Sequence, residues 1–164
     1  KVLMKLLKEK VSIRNLLIIL ETLADYSSQT KDTDVLTEYV RRSLSRQITL
    51  QYAPQNEALK VITAGASVEK KFAESVHRSD QGNYLSIDPE TSQLIFQKIS
   101  EQAAQLQQTG VQPILLTSPA IRIYMRQFIE GFAPDLPVLS YNELEPNIEI
   151  QSVGVVNISG GVNV

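Results

Sequence analysis

The chain has 164 residues, the size of one ordinary domain or of two small ones. It contains no cysteine and a single histidine, His77, which excludes a disulfide framework, a thiolate nucleophile and a metal site built from cysteines or several histidines. The formal net charge is −2, spread as +3 over residues 1–50 and −5 over the rest, so the chain lacks the basic footprint of a nucleic-acid binder.

The first third of the sequence predicts helices. A short amphipathic run covers Lys1–Glu9, and Ser12 is the expected cap of a second helix that ends near Tyr26. This second helix is apolar around most of its surface, so we expect it to be buried on more than one side.

A third helix is predicted to start at Asp32 or Thr33. Its apolar residues step by four and form the inner stripe: Leu36, Val40, Leu44 and Ile48. Its opposite face is mostly cationic and carries Glu38, Arg41, Arg42 and Arg46.

The remainder of the chain alternates strands and helices, a pattern that predicts a mostly parallel sheet covered by helices. The predicted strands are 59–64, 84–87, 113–117, 137–141 and 148–156, the predicted helices are 67–76, 89–109 and 118–131, and 77–83 is predicted as a loop. The fold class is therefore α/β, with a helical subdomain at 1–52, an α/β subdomain at 58–158 and a flexible tail at 159–164. No apolar run is long enough to span a bilayer, and the first residues, which lack an initiating Met, suggest a piece of a longer protein.

Catalytic motifs are scarce. The sequence has no glycine-rich phosphate loop and no nucleophile elbow, and His77 is expected on the surface beside a polar loop. Ser118 and Ser140 lie at the ends of predicted parallel strands, where ligands often bind, but Ser118 before a proline is better explained as a helix cap and Ser140 has no recognisable base. The alternative that remains is a small α/β ligand-binding or hydrolytic domain that uses strand ends near Ser118 and Tyr141.

An acidic group occurs late in the chain: Asp135, Glu143, Glu145 and Glu149. Its irregular spacing does not match a calcium loop, so we interpret it as a solvated rim. We expect no cofactor, no bound metal and no catalytic residue.

Two stretches carry a resemblance to a known family. The first comprises Val11–Leu16, Ile19–Tyr26 and Thr30–Ile48, and the second comprises Leu136–Leu144 and Ile150–Val156. Together they resemble the cytoplasmic C-terminal region of the FHIPEP family, the large export-gate proteins of bacterial flagella and of type III secretion injectisomes. The Thr30–Asp34 segment (Thr-Lys-Asp-Thr-Asp) is nearer to the flagellar branch.

The resemblance implies a longer protein with transmembrane helices at its N-terminus and four cytoplasmic subdomains, of which this chain would hold the last two. It implies a nine-membered homo-oligomeric ring on the cytoplasmic face of the bacterial inner membrane. Partners would be other export-apparatus proteins, export substrates and their chaperones, without nucleic acid, and contact with the membrane would come only through the N-terminal part. The main chaperone-docking depression of the family lies in subdomains that this chain would lack.

The resemblance supplies no catalytic residues, but polar groups of both signs on the first helices suit contacts between identical copies. We therefore predict a contact face made of Arg14, Glu21, Asp34, Glu38, Arg41, Arg42 and Arg46. The alternative is that these groups only solubilise the helices or bond within one copy.

Overall fold

The computed structural model describes residues 1–158, so the prediction of a flexible tail at 159–164 lies outside the described residues. The helices are α1 Val2–Lys8, α2 Leu16–Tyr26, α3 Thr33–Ser43, α4 Ser45–Tyr52, α5 Ala66–Ser75, α6 Pro89–Gln108 and α7 Arg122–Ile129. The strands are β1 Leu59–Ala64, β2 Val76–Ser79, β3 Gly82–Leu85, β4 Leu115–Thr117, β5 Val138–Ser140 and β6 Ile150–Val156, with a 3-10 turn at Tyr141–Glu143.

The chain forms two compact units, and neither is continuous in sequence. The first unit consists of Lys1–Leu59 together with Asn142–Glu149. The second consists of Lys60–Tyr141 and the described residues from Ile150 onward. The short segment Asn142–Glu149 therefore returns to the helical unit before the last strand completes the α/β unit.

The helical unit is organised around α3, which packs against both α1 and α2. The predicted stripe of Leu36, Val40, Leu44 and Ile48 is buried, as its four-residue spacing requires. The structure divides the predicted helix in two, because Leu44 leaves the helical conformation with φ −94° and ψ 18°. Asp32 caps α3 by accepting a 2.8 Å hydrogen bond from the N–H of Asp34.

The predicted start of α2 is wrong by one turn. The hydroxyl of Ser12 accepts a 3.3 Å hydrogen bond from the N–H of Arg14, which makes a local turn, and the helix begins only at Leu16. The prediction that α2 is buried on more than one side is also wrong. Of its residues only Ile19 and Thr22 are buried.

The α/β unit contains a four-stranded sheet in the order β5-β4-β1-β6. The pairs β1/β4 and β4/β5 are parallel, with Ile62 opposite Leu115 and Leu115 opposite Val138. The core between sheet and helices contains Phe72 of α5, Ile95 and Ile99 of α6, and Met125 of α7. The mostly parallel α/β fold expected from the sequence is confirmed.

The outer edge of β5 is covered by two buried arginines of α7. The carbonyl of Pro137 accepts a hydrogen bond from the N–H of Leu115 in β4. Because successive carbonyls of an extended chain point in opposite directions, those of Leu136 and Val138 point away from β4. Arg122 donates to the carbonyl of Val138 at 3.0 Å, and Arg126 donates to those of Leu136 and Pro134 at 3.2 and 2.9 Å. The side chains of α7 thus occupy acceptors that an edge strand would otherwise expose.

The predicted loop at 77–83 is a β-hairpin instead. Strands β2 and β3 pair antiparallel, with His77 opposite Tyr84 and Ser79 opposite Gly82. Gly82 has φ 116°, a backbone conformation that favours glycine and closes the tight turn. No helix among residues 1–158 is both long and apolar enough to cross a lipid bilayer.

Candidate functional site

The seven residues of the predicted contact face fall into three groups in the helical unit. Four are exposed: Arg14, Glu21, Arg42 and Arg46. Asp34 and Glu38 are partly buried. Arg41 is almost completely buried, at 1% relative exposure, and this contradicts its predicted place on an outer cationic face.

Arg41 is held by carboxylates from two other parts of the helical unit. Its Nε donates to Glu143 Oε1 at 2.6 Å and its Nη2 donates to Glu143 Oε2 at 3.0 Å, which is a two-point ion pair. Its Nη1 lies 3.4 Å from Glu9 Oε2 at the end of α1. The physical reason for the wrong placement is that an acid 102 residues away neutralises the cation, and no local spacing reveals such a partner.

Asp34 also has its partner within the helical unit. Its carboxylate forms an ion pair with the ammonium of Lys5, which ties the first turn of α3 to α1. On the other side, Tyr26 of α2 stacks on Tyr39 of α3 with ring centroids 4.0 Å apart and planes 7° apart. These contacts fix α1 and α2 on α3 and thereby decide which of their residues face outward.

The outward face of α2 is a stripe of leucines, although the apolar surface of this helix predicted burial on more than one side. Leu17 and Leu20 are 67% and 53% exposed, and Leu16 is 44% exposed. Because Ile19 and Thr22 point inward, Leu17, Leu20 and the exposed Ala24 share the opposite side at helical spacing. We call Leu16, Leu17, Leu20 and Ala24 the leucine stripe. The signal that was misread is the apolar run Leu16–Leu20, which is wider than one helix can bury in a unit this small.

Arg46 borders an open depression of about 430 Å³ in the helical unit. The wall that faces α4 contains Glu145. It is held in place because the N–H of Glu145 donates a 2.9 Å hydrogen bond to the hydroxyl of Thr49 on α4. The depression is lined by Arg46, Thr49, Leu50, Ala53, Asn56, Glu145 and Asn147. It offers one cation, one carboxylate and the half-exposed side chain of Leu50, a mixture that suits contact with another protein surface.

The strand ends of the α/β unit are occupied by the protein's own side chains. Ser118 does not cap α7 as predicted, because that helix begins only at Arg122. Instead its N–H and its hydroxyl each donate to the carboxylate of Glu69, both at 2.7 Å. Ser140 is buried at the end of β5.

In the sheet, β4 lies on one side of β1 and β6 lies on the other. The crevice between β1 and β6 is therefore the point where the strand order changes direction, and open α/β sheets often bind ligands at such a point. Here Asn157 fills that position. Its Oδ1 accepts from the hydroxyl of Ser67 at 2.7 Å and from the N–H of Ser67 at 3.3 Å, at the first turn of α5. A Cβ at Gly65 would overlap the Asn157 amide, so the backbone and this side chain approach too closely to admit a phosphate.

The acidic residues 135–149 do not form one solvated rim. Glu143 is buried against Arg41, so its predicted exposure is wrong. Among the described residues, no group of three or more His, Asp and Glu side chains is arranged to hold a metal ion. His77 is exposed on β2, as expected, with its ring centroid 5.5 Å from that of Tyr84.

Comparison with known proteins identifies the family. The model of the FHIPEP family matches residues 1–149. The chain is 55% identical over 158 residues to the flagellar biosynthesis protein FlhA of Bacillus subtilis (strain 168), and the match covers 96% of this chain and 23% of that protein.

Solved structures agree with this assignment. The nonameric SctV-C of EPEC, determined by cryo-EM, has a TM-score of 0.85 at 36% identity, over 94% of this chain and 46% of that one. CdsV of Chlamydia pneumoniae, solved in complex with CdsO, has a TM-score of 0.86 at 34% identity, over 94% of this chain and 45% of that one. This chain therefore spans less than a quarter of the curated relative and less than half of the solved chains. The higher identity to the flagellar protein agrees with the branch indicated by the sequence, and the resemblance is confirmed: the chain belongs to the FHIPEP family.

Proposed function

We propose that this chain is part of the cytoplasmic region of a flagellar-type protein-export gate and works there by protein–protein contact within a ring. The observation that carries the proposal is the nonameric assembly of the EPEC relative, whose fold matches 94% of this chain. The proposed role involves no bond chemistry. Glu69 and Asn157 fill the strand-end positions of the α/β unit at which a ligand could bind, and this supports that part of the proposal.

Two exposed cations of the helical unit, Arg42 and Arg46, are the proposed contact groups between copies. Arg42 lies on the outer side of α3 and Arg46 on α4, beside the depression that also contains Glu145. A ring requires a heterologous contact in which one patch meets a different patch on the next copy. A cationic patch suits such a contact because charge complementarity sets register and excludes wrong pairings. Arg41 and Asp34 are not part of the proposed contact face, because each forms an ion pair with a residue of the same helical unit.

The wider role extends to partners. We propose that the ring stands at the cytoplasmic face of the inner membrane and takes part in passing export substrates and chaperones to the channel. The complex of the Chlamydia relative CdsV with CdsO supports binding of a further component of the apparatus. The membrane anchor and the main chaperone site would lie in the part of the protein outside this chain.

The test is charge reversal of Arg42 and Arg46 to Glu in the longer protein. Like charges placed opposite each other in a contact cost several kcal/mol, so we expect self-association to weaken about tenfold or more. Light scattering of the cytoplasmic polypeptide and swimming in soft agar are the measurements. The matched control is Arg78→Glu on the exposed β2–β3 hairpin, which should leave both unchanged. Rings and normal motility in the double variant would show that these cations are not contact groups.

A further inference from the structure

The leucine stripe on α2 is an exposed apolar surface that the packing of the helical unit does not explain. Three neighbouring leucines are between 44% and 67% exposed on one short helix. Single exposed leucines are common on protein surfaces, but a contiguous stripe bordered by charges usually marks a contact. Arg14 lies before its first residue, and Glu21 and Asp25 lie towards its end.

We propose that the leucine stripe is covered by another part of the same cytoplasmic polypeptide, as an intramolecular contact between subdomains. The inference rests on the proposed function, in which this chain is part of a longer protein. It goes beyond that function because it assigns to α2 a contact within one copy, separate from the contacts between copies proposed for Arg42 and Arg46.

The size of the stripe favours a tethered partner over a free one. Separate molecules that associate stably bury about 800 Å² on each side, far more than three half-exposed leucines offer. A partner on the same chain needs much less, because the tether replaces the entropy cost of bringing two molecules together with an effective concentration in the millimolar range. The solved relatives have room for such a partner, since this chain covers only 46% and 45% of them.

The charges around the stripe specify the chemistry of its partner. Among residues 1–158, the side chains of Arg14, Glu21 and Asp25 make no ion pair. The covering segment should therefore present apolar side chains to Leu17 and Leu20, a carboxylate near Arg14 and a cation near Glu21.

The absence of cysteine from the chain permits a direct test. Leu17→Cys places one thiol in the middle of the stripe, at a position exposed enough to tolerate the change. The rate of reaction with a maleimide is measured by mass spectrometry in this chain alone and in the longer cytoplasmic polypeptide with any other cysteines replaced. Circular dichroism checks that both variants fold.

We expect the thiol to react at least about tenfold more slowly in the longer polypeptide, because a covered site reacts only when the contact opens. The protection should be the same at every protein concentration, as for any contact within one molecule. The control is Asp80→Cys in the turn of the β2–β3 hairpin, which should react equally in both polypeptides.

Two outcomes would overturn the proposal. Equal reactivity of Leu17→Cys in both polypeptides would show that nothing covers the stripe. Protection that grows with protein concentration would assign the stripe to a contact between copies. Light scattering on the same samples reports ring formation separately, so failure of this proposal can be told from failure of the proposed function.

Discussion

The guanidinium of Arg41 lies inside the helical unit and contacts carboxylates of Glu9 and Glu143. Taking these charges out of water costs several kcal/mol for each ion, and the two-point pairing with Glu143 offsets that cost only while both partners are present. The pair therefore contributes more to specifying where residues 142–149 dock than to net stability.

Removing one partner should be severe. We expect Glu143→Leu to lower the free energy of unfolding of the helical unit by about 3–5 kcal/mol, because it leaves a buried cation without its main counter-charge. Urea denaturation followed by circular dichroism is the measurement. The double variant Arg41→Met/Glu143→Leu should recover part of the loss, since apolar side chains can replace a buried pair.

The neighbouring arginine provides the control for this experiment. Arg42 is exposed, so Arg42→Met should change the free energy of unfolding by no more than about 0.5 kcal/mol. A double variant as unstable as Glu143→Leu alone would contradict the ion-pair explanation. It would point to the shape of the Glu143 side chain as the important property.

At the scale of elements, the first turn of α6 shows how a cap is recognised from sequence and confirmed in structure. Asp88 followed by Pro89 predicts a helix start, and the Asp88 carboxylate accepts a 2.9 Å hydrogen bond from the N–H of Thr91. The side chain and backbone of Thr91, with Lys71 nearby, lower the pKa of Asp88 to about 2.

This lowered pKa makes a contribution to stability that depends on pH. A carboxyl whose pKa is lower in the folded than in the unfolded state stabilises the fold above its unfolded pKa of about 3.9, and the contribution is lost as pH falls towards 2. Asp88→Asn cannot titrate, so the stability difference between the parent chain and this variant should shrink between pH 4.5 and pH 2.5. Urea denaturation at the two values measures it.

Glu90→Gln removes a charge from the same turn without touching the cap and serves as the comparison. A difference between the parent chain and Asp88→Asn that stays constant over this pH range would show that the Asp88 carboxylate is not the group responsible.

Periodicity predicted the elements well where one face is buried against a neighbour. The stripe of Leu36, Val40, Leu44 and Ile48 is buried as predicted, because its spacing fits one helix face. The β2–β3 hairpin was missed because its strands are short and almost wholly exposed, so they carry no apolar alternation. The leucine stripe was misplaced because apolar spacing identifies the apolar residues of a helix but not which of them the rest of the unit covers.

The candidate site could be predicted only in part, for a related reason. Sequence placed Arg42 and Arg46 correctly on an exposed face, since both lie opposite the apolar stripe of their helices. It misplaced Arg41, whose partner Glu143 is supplied by the other end of the chain. Contacts at such sequence separation leave no signal in a single sequence.

At the scale of the whole molecule, the main feature is that residues 142–149 belong to the helical unit although most of the α/β unit precedes them. This segment supplies the buried side chains of Glu143, Leu144 and Ile148. The helical unit is therefore incomplete until the chain beyond residue 141 has been made, and non-local contacts of this kind slow folding.

A polypeptide limited to Lys1–Leu59 should fail to fold, because Arg41 would lack Glu143 and the core would lack two apolar side chains. Joining residues 142–149 to it through a flexible glycine–serine linker should restore a cooperative thermal transition. Circular dichroism during heating distinguishes the two polypeptides. A cooperative transition of Lys1–Leu59 alone would show that the returning segment is dispensable.

The arginines on the outer edge of β5 have a consequence for a protein that, on the proposed function, operates among unfolded export clients. An extended client could hydrogen-bond to any open strand and be retained there regardless of its sequence. Arg122 and Arg126 already occupy the outward carbonyls of Val138 and Leu136. The acceptors that these arginines occupy are unavailable to a passing polypeptide, which disfavours indiscriminate capture on this side of the sheet.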